Sequence, residues 1–470
     1  MSPSWLNTYI DGSLIYQDKN PNWAKIDNVV LGDSSGFGYQ TLGPNMDIST
    51  QLTYLQNDPN AVVLDYCWSN GYGYVKKGFN PGIAGDVSQK SGFTSFIKIA
   101  ACSPTVFLPL NQVPPPPPPP PPAPPAVPFV TWNGSQFMCN GSPFVPVGFN
   151  AYWMAFTEQY GYPPHAQVDE MFYVAQQMQA TVIRCLSLGW SSNYSNALIN
   201  SDLTINNNAW PAIDYIFYKA NQTGIKLIAD LTQEFTYVPG DVTAFTNYYG
   251  LSAPDFFYNS TVIAAFQNYV ATWLNHTNQY TGVQIKNDPA LFAIELGNEL
   301  GNLRSNVNAN TIPPQSWLQS MVTFIKSIDA NHLILDSSDE CLGSGTSNDF
   351  AVSGFDIFQG HFYWEDYHRL NSGASGAAAK GKPYIIGEYS SQFGQDWFNT
   401  IEATPNVKGT IFWDMYPHQN GTAGGAEVPH NDGYTIYYDS NWSSQLLLLT
   451  NHMRRMRGLP QVSSVPGLIW

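Results

Sequence analysis

The chain has 470 residues and a formal net charge of −16, with 43% hydrophobic residues and only 11% charged residues. This length is enough for two or three domains, or for one large barrel with an accessory domain. The acidic balance argues against nucleic acid or an anionic membrane surface as the main partner. No run of eighteen apolar residues predicts a membrane-spanning helix.

Residues 1–112 form a Gly-, Asn- and aromatic-rich segment that we predict to be a small accessory domain. Apolar runs at 61–66 and 93–99 predict strands, and the run at 51–56 predicts a short helix. The stretch from Tyr72 to Phe79 resembles the aromatic-Leu-Lys strand of PAN/apple modules, although most of that family's cysteines are missing. Several aromatic side chains here either pack internally or stack on a sugar polymer. They are Trp23, Trp68, Tyr72 and Tyr74.

Nine consecutive prolines, Pro114 to Pro122, open a proline-rich stretch that reaches Pro128. Proline at successive positions forbids helix and sheet hydrogen bonding and leaves the polyproline II conformation. At about 3.1 Å per residue, residues 113–128 form a stiff spacer of roughly 50 Å. A spacer between two domains is the interpretation that fits this position best, and a ligand for a proline-recognition domain is the alternative.

Residues 129–470 alternate apolar runs with helical patterns, which predicts a parallel sheet covered by helices. After a predicted hairpin at 129–144, eight strand-like runs lie at 145–150, 181–186, 226–231, 291–296, 332–336, 355–361, 384–388 and 409–413. Helical patterns lie at 166–179, 210–222, 261–278, 314–328 and 443–456. Eight strands in about 340 residues fit an α/β fold with a closed (β/α)8 TIM barrel better than an open doubly wound sheet.

Polar residues close several of these runs, and active sites of such barrels lie at the carboxyl ends of the strands. Glu299 follows the fourth run and Glu388 closes the seventh. Two carboxylates at the ends of separate buried strands are the arrangement that glycoside hydrolysis uses. Each further candidate has an ordinary structural interpretation, but their shared position favours a common site. These candidates are Asn150, Trp153, Arg184, Asn298, His361, Tyr363 and Trp413.

On these residues, the segment 129–470 resembles the glycoside hydrolases of clan A, family 5. The Asn298-Glu299 pair resembles the acid/base signature of that family, and Glu388 resembles its nucleophile. Within the family, the stretches 150–154 and 286–296 most resemble endo-β-1,4-mannanases. The chain also departs from the pattern, which leaves the substrate preference more open than the chemistry. Ile294, Leu300 and Gly301 stand where the family commonly has Trp, Pro and Arg.

The resemblance implies a retaining, endo-acting hydrolase of β-1,4-mannosidic bonds in mannan-type polysaccharides. Glu388 is the implied nucleophile and Glu299 the implied acid/base, with no metal or organic cofactor. Glu295 is expected to point away from Asn298 and to be a buried structural partner. The substrate-binding residues implied are Asn150, Trp153, Arg184, Asn298, His361, Tyr363 and Trp413. Outer-subsite candidates are Trp153, Trp190, Trp364, Tyr389, Tyr416 and His418.

Two rival interpretations stay open. The first is a β-1,4-glucanase or another family 5 β-glycanase, which shares the catalytic residues and differs in its subsites. The second is a non-catalytic carbohydrate-binding wall protein, against which the intact glutamate pair argues. In either case the expected partner is a polysaccharide rather than nucleic acid or a membrane, and the expected state is a monomer.

N-x-S/T sequons, all of them after residue 130, favour a secreted glycoprotein. They lie at Asn133, Asn140, Asn193, Asn221, Asn259, Asn275, Asn420 and Asn441. Because the first residues have no basic and apolar signal region, we expect the signal peptide to be absent from this chain. The five cysteines form no C-x-x-C pair, and Cys67 and Cys102 are candidates for one disulfide.

Overall fold

The computed structural model describes strands between residues 9 and 98 and most of the chain from residue 129 to residue 467. In this second part the described residues exclude 156–160, 186–196, 235–240, 301–312, 340–348 and 422–424. The chain divides into two compact units, Met1–Pro122 and Ala123–Trp470. Among the described residues, no helix has the length and apolar character needed to cross a membrane.

The first unit contains a six-stranded antiparallel sheet. In spatial order its strands are Tyr16–Gln17, Trp23–Leu31, Val87–Lys98, Val63–Cys67, Gly73–Lys76 and Gly38–Leu42. A separate antiparallel pair joins Tyr9–Ile10 to Ser13–Leu14. The strands predicted at 61–66 and 93–99 are confirmed, whereas the helix predicted at 51–56 lies outside the described residues, as do Trp68, Tyr72 and Cys102.

The second unit begins with a three-stranded antiparallel sheet, which confirms the hairpin predicted at 129–144. Its strands are Thr131–Trp132, Phe137–Cys139 and Ser142–Phe144. The rings of Phe137 and Phe144 pack on Phe292, with centroids 5.3 Å and 5.6 Å away. Phe137 belongs to a buried cluster with barrel residues such as Val182 and Ile411. The sheet therefore packs on and covers an apolar layer of side chains inside the barrel.

Eight parallel strands form the barrel. In chain order they are Val147–Asn150, Val182–Cys185, Lys226–Asp230, Leu291–Glu295, Leu333–Leu335, Phe358–Phe362, Tyr384–Ser390 and Val407–Trp413. The eighth strand pairs with the first. A bridge between Leu335 and Ile357 joins the fifth to the sixth, where the Asp336 amide donates to the Ile357 carbonyl over 3.0 Å. The predicted (β/α)8 barrel is confirmed.

Helices flank the barrel strands. The described α-helices are His165–Met178, Trp210–Thr223, Thr243–Tyr248, Asp255–Tyr258, Ser260–Asn275, Gln315–Ile328, Tyr367–Ala379, Gln395–Ala403 and Ser443–Met456. Short 3-10 turns are Tyr152–Met154, Ile285–Asn287, Asp349–Ala351 and Ser440–Trp442. After the barrel, Met415–Tyr416 pairs with Ile436–Tyr437. The five predicted helices are confirmed, and the other four described helices were not predicted.

The helix Tyr367–Ala379 packs closely against the sixth and seventh strands because glycine leaves room for Tyr384. A Cβ on Gly373 would lie 2.7 Å from the Tyr384 ring, and one on Gly360 would lie 2.1 Å from its hydroxyl oxygen. Such separations are far below van der Waals contact. These two strands carry residues of the site, so the close packing of the helix holds both strands in position beneath the site.

Candidate active site

The carboxyl ends of the barrel strands bring most of the predicted site residues into one buried hydrogen-bond network. Asn150 and Arg184 lie on the first two strands, and Asn298 and Glu299 follow the fourth. The sixth strand carries His361, with Tyr363 directly after it, and the seventh carries Glu388. The network therefore draws on five of the eight strands, which only a closed barrel can bring to one place.

Glu388 is 3% exposed, and each of its carboxylate oxygens has a hydrogen-bond donor. Arg184 Nη1 donates to Oε1 over 2.8 Å, and the Tyr363 hydroxyl donates to Oε2 over 2.5 Å. Burial raises the pKa of Glu388 and the nearby Glu299 adds to this, whereas His361, Arg184 and Tyr363 act in the opposite direction. The two donors therefore favour an ionised, oriented carboxylate at a position where burial alone would disfavour it.

Glu299 lies next to Glu388 and is held by both its side chain and its backbone. Its Oε1 is 2.6 Å from His361 Nδ1. One ligand atom from each of Glu299, His361 and Glu388 lies within 4.8 Å of the others. The backbone of Glu299 has φ of 51°, a left-handed conformation that is uncommon for a residue with a side chain.

Backbone hydrogen bonds on either side stabilise this unusual conformation of Glu299. The Asn298 amide donates to the Thr232 carbonyl, and the Leu300 amide donates to the Ser337 carbonyl, each over 2.8 Å. The chain before and after Glu299 is thus tied to the ends of the third and fifth strands. Backbone strain of this kind persists where the surroundings over-determine it, as they commonly do at functional sites.

Arg184 is fully buried and uses all five of its N–H groups. Nε and Nη2 donate to Glu295 over 2.9 and 3.0 Å, and Nη2 also donates to Asn298 Oδ1 over 2.8 Å. Nη1 donates to Asn150 Oδ1 over 2.9 Å and to Glu388. Its pKa is raised, because Glu295 and Glu388 outweigh the effect of burial. Arg184 is therefore a fixed positive centre that aligns two carboxylates and two amides.

The prediction that Glu295 points away from Asn298 was wrong. The fourth strand ends at Glu295, so the alternation of side chains does not continue to Asn298, and both residues reach the same guanidinium group. Glu295 is fully buried, and burial raises its pKa to about 7 despite the opposing effect of Arg184. Its contacts are those of the buried structural partner that we expected.

Asn150 and Trp153 were predicted to bind substrate, but the structure gives them supporting positions. Asn150 is fully buried, and its Nδ2 donates to the carbonyls of Gly387 and Phe412 over 3.1 Å each. Trp153 is 1% exposed and donates to the Met415 carbonyl over 3.0 Å. Arg184 is equally buried, and direct contact with substrate stays a prediction for all three. Their polar groups are used within the protein, and they position other residues.

Trp413 is half-buried at the end of the eighth strand and is held on two sides. Its ring stacks on Tyr152, with centroids 5.3 Å apart and planes 6° apart. Its indole N–H donates to Asp432. The hydroxyl of Tyr152 in turn accepts a hydrogen bond from the Tyr416 hydroxyl over 2.8 Å. Tyr152 and Asp432 are site residues that the sequence analysis missed.

The outer-subsite candidates have different surroundings. Trp364 is 49% exposed, which suits a contact with a polymer. Tyr389 is fully buried, Tyr416 is 6% exposed, and His418 is 2% exposed with its Nδ1 2.5 Å from Glu170. These three are therefore packing residues rather than subsite surfaces. Trp190 lies outside the described residues.

Gln359 is a further buried residue that the sequence analysis missed. It lies two positions before His361, so both side chains share one face of the sixth strand. Its Nε2 donates to Glu295 Oε1 over 2.6 Å and to the Asp336 carbonyl over 2.9 Å. Gly387 makes room for it, because a Cβ there would lie 1.9 Å from Gln359 Oε1. A polar residue in the middle of a buried strand was the available signal.

Within the described residues, two groups of side chains come close enough to hold a metal ion. They are Glu299 with His361 and Glu388, and Asp414 with His430 and Asp432. In both groups hydrogen bonds already engage the imidazole. Asp414 is fully buried, and burial followed by the nearby Asp432 raises its pKa well above the usual range, which disfavours the ionised form that a metal needs.

Comparisons with known proteins agree with this geometry. A family model described as GH family 5 beta-mannosidase-like matches residues 192–377. Mannan endo-1,4-beta-mannosidase 1 of Arabidopsis thaliana is 26% identical over 70% of this chain and 90% of its own length. Mannan endo-1,4-beta-mannosidase A of Hypocrea jecorina is 28% identical over 70% of this chain and 78% of its own.

A solved structure gives the same result at the level of the fold. The endo-1,4-beta-mannanase from Rhizomucor miehei superposes with a TM-score of 0.58 and 25% identity, covering 70% of this chain and 99% of its own. The barrel, the glutamate pair and the similar proteins together identify the chain as a glycoside hydrolase. The resemblance to family 5 is confirmed. Within that family, the chain is similar to the endo-β-1,4-mannanases.

Proposed function

We propose that this chain is an endo-acting β-1,4-mannanase that hydrolyses mannan-type polysaccharides with retention of configuration. The observation that carries the proposal is the pairing of Glu299 and Glu388, with facing atoms within 4.8 Å at the ends of the fourth and seventh strands. Retaining glycosidases hold their carboxyl groups about 5 Å apart, whereas inverting enzymes leave room for a water between them. The relatives named as mannan endo-1,4-β-mannosidases supply the substrate class.

In the first step, Glu388 attacks the anomeric carbon of the sugar whose glycosidic bond is cleaved. The bond from that carbon to the bridging oxygen breaks, and Glu299 transfers its proton to the departing oxygen. The product is a glycosyl ester on Glu388 and an ionised Glu299. Arg184 and the Tyr363 hydroxyl, which bind the two oxygens of Glu388, orient the attacking carboxylate.

In the second step, Glu299 acts as a base. It removes a proton from a water molecule that attacks the same anomeric carbon, and the bond to Glu388 breaks. Each step inverts the carbon, so the product keeps the β configuration of the substrate. Glu299 ends the cycle protonated and Glu388 ionised, which restores the starting state.

Three further residues are assigned to the sugar at the cleavage point. Asn298, whose oxygen is held by Arg184, directs its amide hydrogens toward the sugar 2-position, where contacts strengthen in the transition state. Trp413 supplies an aromatic floor, since one of its faces already rests on Tyr152. Tyr363 lies at the edge of the same site through its bond to Glu388.

Localisation and accessory functions belong to the same proposal. Secretion and glycosylation are supported by the sequons and by the acidic, lysine-poor composition. The first unit is proposed to be an accessory domain at residues 1–112, joined by the 113–128 spacer to the catalytic domain at 129–470, and to bind a polysaccharide. Monomeric action without nucleic-acid or membrane partners is the simplest arrangement for such an enzyme.

The test is product analysis on a panel of polymers. Purified protein and a Glu388→Gln variant would be incubated with β-mannan, galactomannan, carboxymethylcellulose and xylan. Short manno-oligosaccharides from the wild type alone are the expected result. Cleavage of carboxymethylcellulose with no cleavage of mannan would establish the glucanase instead. Binding without release from any polymer would favour the non-catalytic interpretation.

A further inference from the structure

The carboxamide of Gln359 has only one orientation that its surroundings accept. Its Nε2 faces two acceptors, Glu295 Oε1 at 2.6 Å and the Asp336 carbonyl at 2.9 Å. The main-chain carbonyl of Asp336 can only accept, so it requires Nε2 on its side whether or not Glu295 is ionised. Exchanging the amide N and O of Gln359 would set oxygen against oxygen at this contact.

With the amide fixed in this way, Gln359 Oε1 faces the imidazole of His361. Oε1 lies 3.4 Å from His361 Nε2, which is long but within reach of a hydrogen bond. Gly387 makes this approach feasible, because a Cβ there would lie 1.9 Å from Gln359 Oε1 and 3.0 Å from His361 Nε2. A carbonyl oxygen only accepts, so Nε2 is the nitrogen that carries a proton.

Because His361 is buried, its imidazole favours the neutral form, which holds one proton rather than two. Burial lowers its pKa to about 3, and Arg184 and Arg369 act in the same direction, against the opposing effect of Glu388. A neutral imidazole with its proton on Nε2 has a bare lone pair on Nδ1. That lone pair is 2.6 Å from Glu299 Oε1. The two atoms share one hydrogen bond, and with the imidazole proton on Nε2 its donor is the carboxylic acid of Glu299. Nδ1 also lies 3.5 Å from Glu388 Oε2.

We propose that Gln359 is a positioning residue that fixes the Nε2–H tautomer of His361 and thereby holds the acid proton on Glu299. The inference rests on the proposed function, because it assigns the source of the proton that Glu299 delivers. Delivery requires the carboxyl O–H of Glu299 to turn from Nδ1 to the departing oxygen, and the carboxylate that remains faces the lone pair on Nδ1. This repulsion makes Glu299 a stronger base for the water of the second step.

The tautomer can be measured without any enzyme activity. Histidine-selective ¹⁵N labelling of the full chain and ¹H–¹⁵N spectra distinguish a proton on Nε2 from one on Nδ1, with the His361 signal assigned by its loss in His361→Gln. The expected result is a neutral ring with Nε2–H between pH 5 and 8. A ring protonated on Nδ1 in the wild type would overturn the proposal.

Kinetics on aryl β-mannobiosides test the consequence for catalysis. A good leaving group such as dinitrophenolate departs without a proton, whereas a poor one needs the acid. We expect Gln359→Leu to lose about 100-fold in kcat/KM with poor leaving groups and on mannan, and less than about 3-fold with the good one. The basic limb of its pH profile should also move down by about one unit, since an Nδ1–H tautomer favours ionised Glu299.

Equal losses on both leaving groups would show that Gln359 acts only as packing, and would overturn the proposal. Gln319→Leu is the matched control, because Gln319 also donates its amide to a backbone carbonyl but lies on the helix Gln315–Ile328. If the wild type cleaves neither mannan nor the aryl mannobiosides, the proposed function fails, while the tautomer measurement still decides the role of Gln359.

Discussion

At the residue scale, the hydroxyl of Tyr363 is the group whose removal has the clearest consequence. It donates to Glu388 Oε2 over 2.5 Å and opposes the rise in the Glu388 pKa that burial causes. Tyr363→Phe therefore raises that pKa further, and the nucleophile is lost to protonation at a higher pH. We expect the acidic limb of kcat/KM against pH to move upward by about one unit.

The control for this shift is Tyr173→Phe, which removes a hydroxyl that donates to the Gly467 carbonyl away from the site. Its pH profile should match that of the wild type. An unchanged acidic limb in Tyr363→Phe would mean that the hydroxyl does not act on the ionisation of Glu388.

Arg184 gives a prediction on stability as well as on activity. Arg184→Met leaves the buried carboxylate of Glu295 without its two-point partner, and breaking such a pair costs about 3–5 kcal/mol. We expect a loss of this order in urea unfolding, with mannanase activity reduced at least about 100-fold. Arg457→Met, which loses a bond to the Gln179 carbonyl, is the control. Equal stability of the two variants would contradict the account.

The sequence predicted those site residues that close an apolar run, because such residues emerge at the same edge of a parallel barrel. Glu299, Glu388, His361 and Arg184 were found by this rule. It does not say which of them face a ligand, so Trp153 was assigned to substrate although it is buried. Contacts set by tertiary folding, such as the bond of one guanidinium to both Glu295 and Asn298, cannot be read from spacing.

At the element scale, the segment after the eighth strand controls the orientation of Trp413. Asp432 accepts the indole N–H, and it also accepts the amides of Tyr434 and Thr435 over 2.9 and 3.0 Å. Burial opposes ionisation of Asp432, but the bonds from Trp413 and this turn lower its pKa. The carboxylate of Asp432 thus connects the turn at Tyr434 and Thr435 to the ring of Trp413, on which the sugar is proposed to stack.

From this coupling we predict that Asp432→Ala raises KM for manno-oligosaccharides about 10-fold, with a smaller change in kcat. The reason is that a freed indole loses its orientation under the sugar while the glutamate pair is untouched. Steady-state kinetics on mannotetraose would measure this. Asp202→Ala, which removes the acceptor of an exposed turn at Thr204, is the control. A fall in kcat alone would contradict the role of this loop.

The strands and longer helices were predictable because their apolar patterns are regular. The helix Tyr367–Ala379 was not, since it is rich in Ala, Gly and Ser and has little amphipathic contrast. It forms because Asp366 caps its first turn, accepting from the Arg369 amide over 2.9 Å, and because Gly373 fits against Tyr384. The cap is local, whereas the fit of Gly373 depends on Tyr384 of the seventh strand.

At the scale of the whole molecule, buried acids make stability depend on pH. Burial raises the pKa of Glu295 to about 7, from 4.5, and raises those of Asp336 and Asp414 well above their usual range. Such groups bind protons more tightly in the folded state. Their stabilising contribution is full below the unfolded pKa and is lost as pH rises through the folded pKa.

We therefore predict that Glu295 lowers the free energy of unfolding as pH rises from about 4.5 to about 7, by up to about 1.4 kcal/mol per pH unit. Histidines that are buried in the neutral form, such as His361, act in the opposite direction in this range, so the effect of the acids is measured as a difference between the wild type and a variant. Asp414→Asn removes one of the buried acids whose pKa is raised, and it should make stability fall less, or rise more, with increasing pH. Urea melts of both proteins across the range measure this, and identical slopes would contradict the prediction.

The division of the chain was visible in the sequence because nine prolines exclude regular structure. The barrel was visible because eight runs recur with helices between them. The role of the first unit was not visible, since neither its strands nor its aromatic residues specify a function. Composition sets the class of a domain, whereas a binding site depends on side chains that meet only in the folded chain.

The central claim is double displacement on β-mannan by Glu388 and Glu299. Its most direct test is ¹H NMR of mannopentaose hydrolysis in the first minutes, before the product anomers equilibrate, with Glu388→Gln as the control. We predict that the new reducing end appears first as the β-anomer. The Glu388→Gln variant should form no new reducing end. The α-anomer as first product, or unchanged turnover by Glu388→Gln, would contradict it.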